Sequence, residues 1–194
     1  MLVRWELQID RVRARDRQRG FTLTELIITM AIAAILLTVG VPSFRDMILN
    51  NQIVTQTNEL IAALNLTRSE AIKRGVRVVV CRAAGSGCAT DSTSVWEAGW
   101  IIFADSNSNG VRDTDEPIIR VRESAGGAIT IRTGGNFSRW VAYQPDGVSR
   151  GNTNFANDTF RVCDSRGVDH ARFVAVNIVG RPRVRPKGTT DACP

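Results

Sequence analysis

The sequence predicts an α+β fold, with one long amino-terminal α-helix, membrane-apolar in its first half and amphipathic in its second, packed on an antiparallel β-sheet domain. Three observations carry that prediction. Residues 26–41 contain no charge, helical periodicity of apolar residues continues from there to Arg74, and short β-branched or aromatic runs separated by Gly, Asn, Asp and Ser clusters fill the rest of the chain. The expected division is a segment 1–20 removed by cleavage, a membrane and assembly helix 21–45, and a domain 46–194 large enough for a single core.

The first element spans residues 21–41, 21 residues with Glu25 as the one charge. At ~1.5 Å per residue it reaches roughly 30 Å, the thickness of a bilayer's hydrocarbon core. Six arginines and three acids precede it, and no small-residue cleavage site follows Val41. The positive-inside rule therefore puts residues 1–20 in the cytoplasm and the chain beyond about residue 45 on the far side, with the apolar segment retained. A carboxylate in such a helix costs about 2.5–3.5 kcal/mol at the bilayer centre, so Glu25 calls for a cationic partner.

Beyond the membrane, Ile53, Leu60, Leu64 and Ala71 define one apolar helix face, while Asn50, Gln52, Gln56, Asn58, Arg68 and Glu70 are polar. Lys73 and Arg74 suit a last turn and Gly75 the position after it. Pro42 removes a hydrogen bond, which predicts a kink or loosened turn near residues 40–42. Strands are expected at 76–81, 100–104, 117–121, 128–131, 140–143, 159–163, 172–178 and 181–185, with Trp96, Trp100 and Trp140 contributing to the core.

All four cysteines lie outside the membrane segment, as befits an oxidising compartment, and three connectivities are open to them. The preferred pairing is Cys81 with Cys88 across a short turn, and Cys163 with Cys193 as a staple on the carboxyl terminus. A zinc site is disfavoured, because there is no Cys-x-x-Cys pair and His170 is the only histidine.

Gly20-Phe21-Thr22-Leu23-Thr24-Glu25-Leu26 resembles the class III signal of type IV pilins and pseudopilins. The resemblance implies cleavage between Gly20 and Phe21 by a prepilin peptidase, N-methylation of Phe21, and pairing of Glu25 with the new amine of an adjacent subunit. Residues 96–105, the Asn/Gly/Asp loop after them, Glu116-Pro117-Ile118-Ile119-Arg120, and the ending from Cys163 through Gly180-Arg181-Pro182-Arg183 to Cys193-Pro194 resemble the GspH/FimT family of minor pilins and pseudopilins. That implies a type IV pilin-like fold, other major and minor pilins as partners, and residence in the inner membrane with a periplasmic carboxyl-terminal domain, followed by an extracellular pilus or a pseudopilus. Three roles remain open: DNA binding during natural transformation, priming of the pilus, and a minor pseudopilin of type II secretion.

Residues 161–194 hold seven basic residues against three acidic ones. Arg181, Arg183, Arg185 and Lys187 alternate with Pro182, Val184 and Pro186, so an extended segment would aim the cations to one side at about 6–7 Å spacing, close to that of successive phosphates. The prolines suit an edge strand. Double-stranded DNA is the expected ligand, bound through its backbone; a solvated edge that deters aggregation is the competing reading. The Gly-Arg-x-Arg core resembles the DNA-binding motif of FimT-type pilins.

Residues 105–116 fit the pattern D-x-[DN]-x-[DN]-G-x5-E of a calcium loop. Strand-like flanks and Arg112 among the ligand positions argue against calcium, and Asx-turns explain the same composition. No metal or cofactor is expected. A catalytic reading fails for want of parts, since Asp169, His170 and Cys163 form no nucleophile–base pattern.

Overall fold

The computed structural model describes residues 20–91, 94–124 and 126–193, so the expected leader lies outside the described residues except for Gly20. One helix, α1 (Leu23–Arg74), opens the structure. The chain divides into two compact units, the first ending at Phe44 and the second spanning residues 45–194.

In the first unit the Thr22 hydroxyl accepts a hydrogen bond from the Glu25 amide at 3.2 Å, capping α1. Threonine at the cap with glutamate three residues on is the sequence of a capping box and places the carboxylate at the positive end of the helix dipole. The apolar side chains that follow are bare, with Phe21 82% exposed and none of the most apolar stretch of the helix buried. Such a surface requires lipid or neighbouring helices. Helical structure continues through Pro42 without interruption. The loosened turn expected there does not break the helix, because a proline deletes one donor while the bonds of the flanking turns persist.

In the second unit α1 buries Leu49, Ile53, Leu60, Ala63, Leu64 and Ala71. Gly75 ends the helix in the left-handed region (φ 66°), its amide donating to the Ala71 carbonyl at 3.0 Å. Gln56, assigned to the polar face from the sequence, is buried and accepts a hydrogen bond from Arg122 at 2.6 Å.

Among the described residues ten strands follow: β1 (Val78–Ala84), β2 (Gly87–Cys88), β3 (Gly99–Ala104), β4 (Ile118–Glu123), β5 (Thr130–Arg132), β6 (Trp140–Tyr143), β7 (Ser149–Gly151), β8 (Asp158–Cys163), β9 (Arg172–Val176) and β10 (Pro182–Arg185). They form two antiparallel sheets, one ordered β4-β3-β1-β6-β7 with β2 hydrogen-bonded to β1, the other β10-β9-β8-β5. The expected strands are present with shifted ends. The two-residue β2, the three-residue β7 and a 3-10 turn at Trp96–Ala98 are additions, too short to show a period in sequence.

A single main core joins the helix to both sheets. Ile53, Leu60 and Leu64 meet Val78, Val80, Trp100 and Ile102 of the first sheet and Ile131, Phe160, Val162, Val174 and Val176 of the second. The opposite face of the first sheet has its own cluster of Val79, Cys81, Ile101, Phe103 and Ala142, so these strands are apolar on both sides. Trp96 and Trp100 are in the main core, whereas Trp140 is half-buried and packs on the second cluster.

Candidate nucleic-acid interface

The second sheet ends in a hairpin whose tip is Asn177-Ile178-Val179-Gly180, between β9 and β10. The Gly180 amide donates to the Asn177 carbonyl at 2.8 Å, and the Asn177 side-chain oxygen accepts from the Arg181 amide at 2.9 Å, an Asx-type closure of the turn. Gly180 is required twice over. Its φ is 75°, and a Cβ there would sit 2.2 Å from the Gly147 carbonyl oxygen and 2.9 Å from the ring of Tyr143. The hairpin is thereby seated against the β6–β7 turn of the first sheet.

Among the described residues β10 is an edge strand, paired only with β9, in the register Arg183 with Ala175 and Arg185 with Phe173. Val174 and Val176 face the core, so their neighbours in sequence, and with them Arg183 and Arg185, take the outer face of this sheet. The same face carries an in-register row running Arg132, Arg161, Phe173, Arg185 across all four strands.

The four expected cations do not form one equivalent line. Arg185 places its guanidinium 5.2 Å from the Phe173 ring centre and makes a two-pronged ion pair with Asp191, at 2.6 and 2.8 Å. Those bonds hold the Asp191 carboxyl down to about 2 and raise Arg185. Lys187 is ion-paired with Asp169 at 2.6 Å, and its hydrogen bond lowers that carboxyl. Arg181 and Arg183 are exposed and have no side-chain partner among the described residues. Two free guanidiniums and two engaged cations replace four equal charges. The sequence reading missed the difference because the acids that engage Lys187 and Arg185 are 18 residues before the one and 6 after the other.

It also missed Arg172, an exposed cation that lines a shallow groove with Asp169, His170, Phe173, Arg185 and Lys187. Its place at the start of β9, beside the β8–β9 loop, gives no periodic signal. The carboxyl-terminal tail frames the groove from the other side. Asp191 accepts from the Gly188 amide as well as from Arg185, and Cys193 is bonded to Cys163 of β8, with 5.9 Å between their Cα atoms. The second disulfide, Cys81–Cys88, closes the β1–β2 turn.

In the calcium-like loop three of the four carboxylates are engaged by protein donors. Asp105 accepts from the Asn109 and Gly110 amides and pairs with Arg77 at 3.2 Å; Glu116 accepts from the Ser106 and Asp113 amides; Asp113 accepts from the Asn107 and Asn109 side chains. Arg77, stacked 4.8 Å from the Trp140 ring centre, supplies the positive charge at the loop's centre. Burial raises the Asp105 carboxyl and lowers Arg77, so the pair rests on this mutual neutralisation.

Residues 56–180 match the family described as type II transport protein GspH, and residues 15–41 match the prokaryotic N-terminal methylation motif. The first match stops at Gly180, immediately before Arg181. No curated protein sequence matches the chain. Among solved structures, the type IV minor pilin FimU of Pseudomonas aeruginosa (strain PAO1) is similar in fold in two crystal forms. In one the TM-score is 0.55 at 18% identity, over 74% of this chain and 93% of that one. In the other it is 0.50 at 18% identity, over 72% and 95%.

Proposed function

This chain belongs to the GspH family of pilins and pseudopilins, and on that premise we propose that it is a minor type IV pilin, placed at or near the pilus tip, that binds double-stranded DNA without sequence preference during uptake. Its role is structural and ligand-binding. The amino-terminal helix enters the inner membrane and then the filament; prepilin peptidase cuts between Gly20 and Phe21, Phe21 is N-methylated, and Glu25 pairs with the amine of the adjacent subunit. The match to the methylation motif over residues 15–41 supports that part of the reading.

The observation that carries the DNA role is a pair of exposed guanidiniums without a partner among the described residues, Arg181 just before the edge strand β10 and Arg183 within it. Arginine donors held on a backbone that adds no acid of its own suit phosphate oxygens. Arg185 and Lys187 lie along the same strip, where a phosphate would have to compete with Asp191 and Asp169. Binding should weaken steeply with salt, by about 0.9 log units per log unit of salt for each phosphate neutralised. The test is fluorescence anisotropy of labelled duplexes with the full chain in non-ionic detergent across a salt series. The double variant R181Q/R183Q should bind more weakly and lose about two from the slope; undiminished binding refutes the role.

A type II secretion pseudopilin is favoured by the description of the matched family. In that case the chain would co-purify with other tip pseudopilins and bind duplex DNA no better than an acidic control protein does.

A further inference from the structure

The corner of the β9–β10 hairpin carries the wrong chemistry for a turn. Positions that ordinarily take Gly, Pro, Asn, Asp or Ser hold Ile178 and Val179, which are 68% and 53% exposed. Their neighbours fix the turn firmly. Asn177 closes it with its carbonyl and its side chain, and Gly180 presses it onto the first sheet at a spot with no room for a methyl group. Both corner residues are β-branched and therefore stiff at χ1, so they form a preformed apolar point with little rotamer freedom to lose on contact.

In the chain from residue 161 onward the free charge is one-sided; beyond it, Asp146 next to Gly147 and Asp158 beside Val176 accept from backbone amides. The three acids of residues 161–194 are each engaged by a cation, Asp164 by Arg166, Asp169 by Lys187 and Asp191 by Arg185. Arg181, the residue after Gly180, and Arg183, two residues on, are unopposed. An apolar point flanked on one side by free guanidiniums complements a polyanion whose interior is apolar, as the grooves of a duplex are.

We infer that Ile178 and Val179 form a wedge that enters the minor groove of duplex DNA and partly opens a base step, while Arg181 and Arg183 hold the adjacent phosphates. This inference rests on the DNA-binding reading above. A minor groove about 6 Å wide admits a two-residue corner when it widens, and apolar wedges between base steps kink the duplex at a cost of a few kcal/mol, offset by the added contacts. The wedge reads no base edge, so binding stays independent of sequence, and the kink settles at whichever nearby step unstacks most easily.

The test uses the full chain in non-ionic detergent with duplexes carrying 2-aminopurine at a central TA step, whose fluorescence rises on unstacking. The wild type should raise the fluorescence. I178S/V179S should lose that rise and bind about tenfold more weakly at every salt concentration, with the salt slope unchanged. V179T, nearly identical in shape, should keep the fold and show an intermediate loss; unchanged circular dichroism and intact disulfides in both variants establish that the hairpin is formed. DNA binding by the wild type without a fluorescence rise, or full affinity and full rise in I178S/V179S, overturns the wedge and leaves the cation reading standing. Absence of DNA binding by the wild type overturns the DNA reading and the wedge with it, whereas undiminished binding by R181Q/R183Q overturns the phosphate contacts beside the corner and so the wedge. An I178S/V179S chain that binds DNA normally but no longer enters filaments assigns the corner to a neighbouring pilin, which also overturns the inference.

Discussion

Gly180 shows how a residue without a side chain can determine where charged ones sit. Replacing it by alanine forces a Cβ against the Gly147 carbonyl at a positive φ, a combination expected to destabilise the domain by about 1–3 kcal/mol. Chemical denaturation would measure that loss, and a DNA titration of Gly180→Ala would show weaker binding although no charge has changed. Asp191 acts in the opposite direction by occupying Arg185. Its carboxyl is held down to about 2, below the ordinary value of roughly 3.9, so its stabilisation of the tail is present above about pH 4 and lost as pH falls through about 2. NMR of the Gly188 amide across that range should show its hydrogen bond to Asp191 released at the acid end. At neutral pH, Asp191→Asn should free Arg185 for phosphate and steepen the salt dependence of DNA binding by about one.

At the scale of elements, the distinction between what the sequence showed and what it hid is physical. The buried face of α1 was legible because Ile53, Leu60, Leu64 and Ala71 repeat at the helical period, and truncating Leu60 or Leu64 to alanine should cost about 2–5 kcal/mol in an unfolding titration. β3 and β6 were legible as apolar runs. The split into two sheets was not, since strand pairing over long sequence distances leaves no local trace, and β7 is a three-residue strand with an arginine at its centre. In the candidate interface the alternation of Arg181, Arg183 and Arg185 was plain, as was the edge character that Pro182 and Pro186 confer. What could not be read was the neutralisation of Arg185 and Lys187, which depends on where the tail and the β8–β9 loop come to rest. The two disulfides also differ in weight. Loop-closure entropy assigns about 3–4 kcal/mol to Cys163–Cys193, with a sequence separation of 30, and less to Cys81–Cys88, with one of 7. Thermal melts of the corresponding paired serine variants should fall in that order.

For the whole molecule, an uncovered apolar helix and a domain with its own core predict separable defects. Glu25→Gln should leave membrane insertion intact and reduce incorporation into filaments, measured by the ratio of membrane-bound to sheared-filament protein. Intact mass of the processed chain should show the loss of residues 1–20, and R181Q/R183Q should assemble normally. The covalent link from Cys193 to β8 has one more consequence, and it concerns force. On the proposed DNA-binding role, a pull on the bound duplex is a pull on the strand that holds it. An edge strand followed by a free end peels away one hydrogen bond at a time under a small load. β10 has no such free end, because the β9–β10 turn anchors it on one side and the bridge anchors the residues that follow it on the other. Tension entering at Arg183 must therefore stretch the closed loop or rupture the strand's bonds together, which turns the weakest position in a sheet into a mechanical grip.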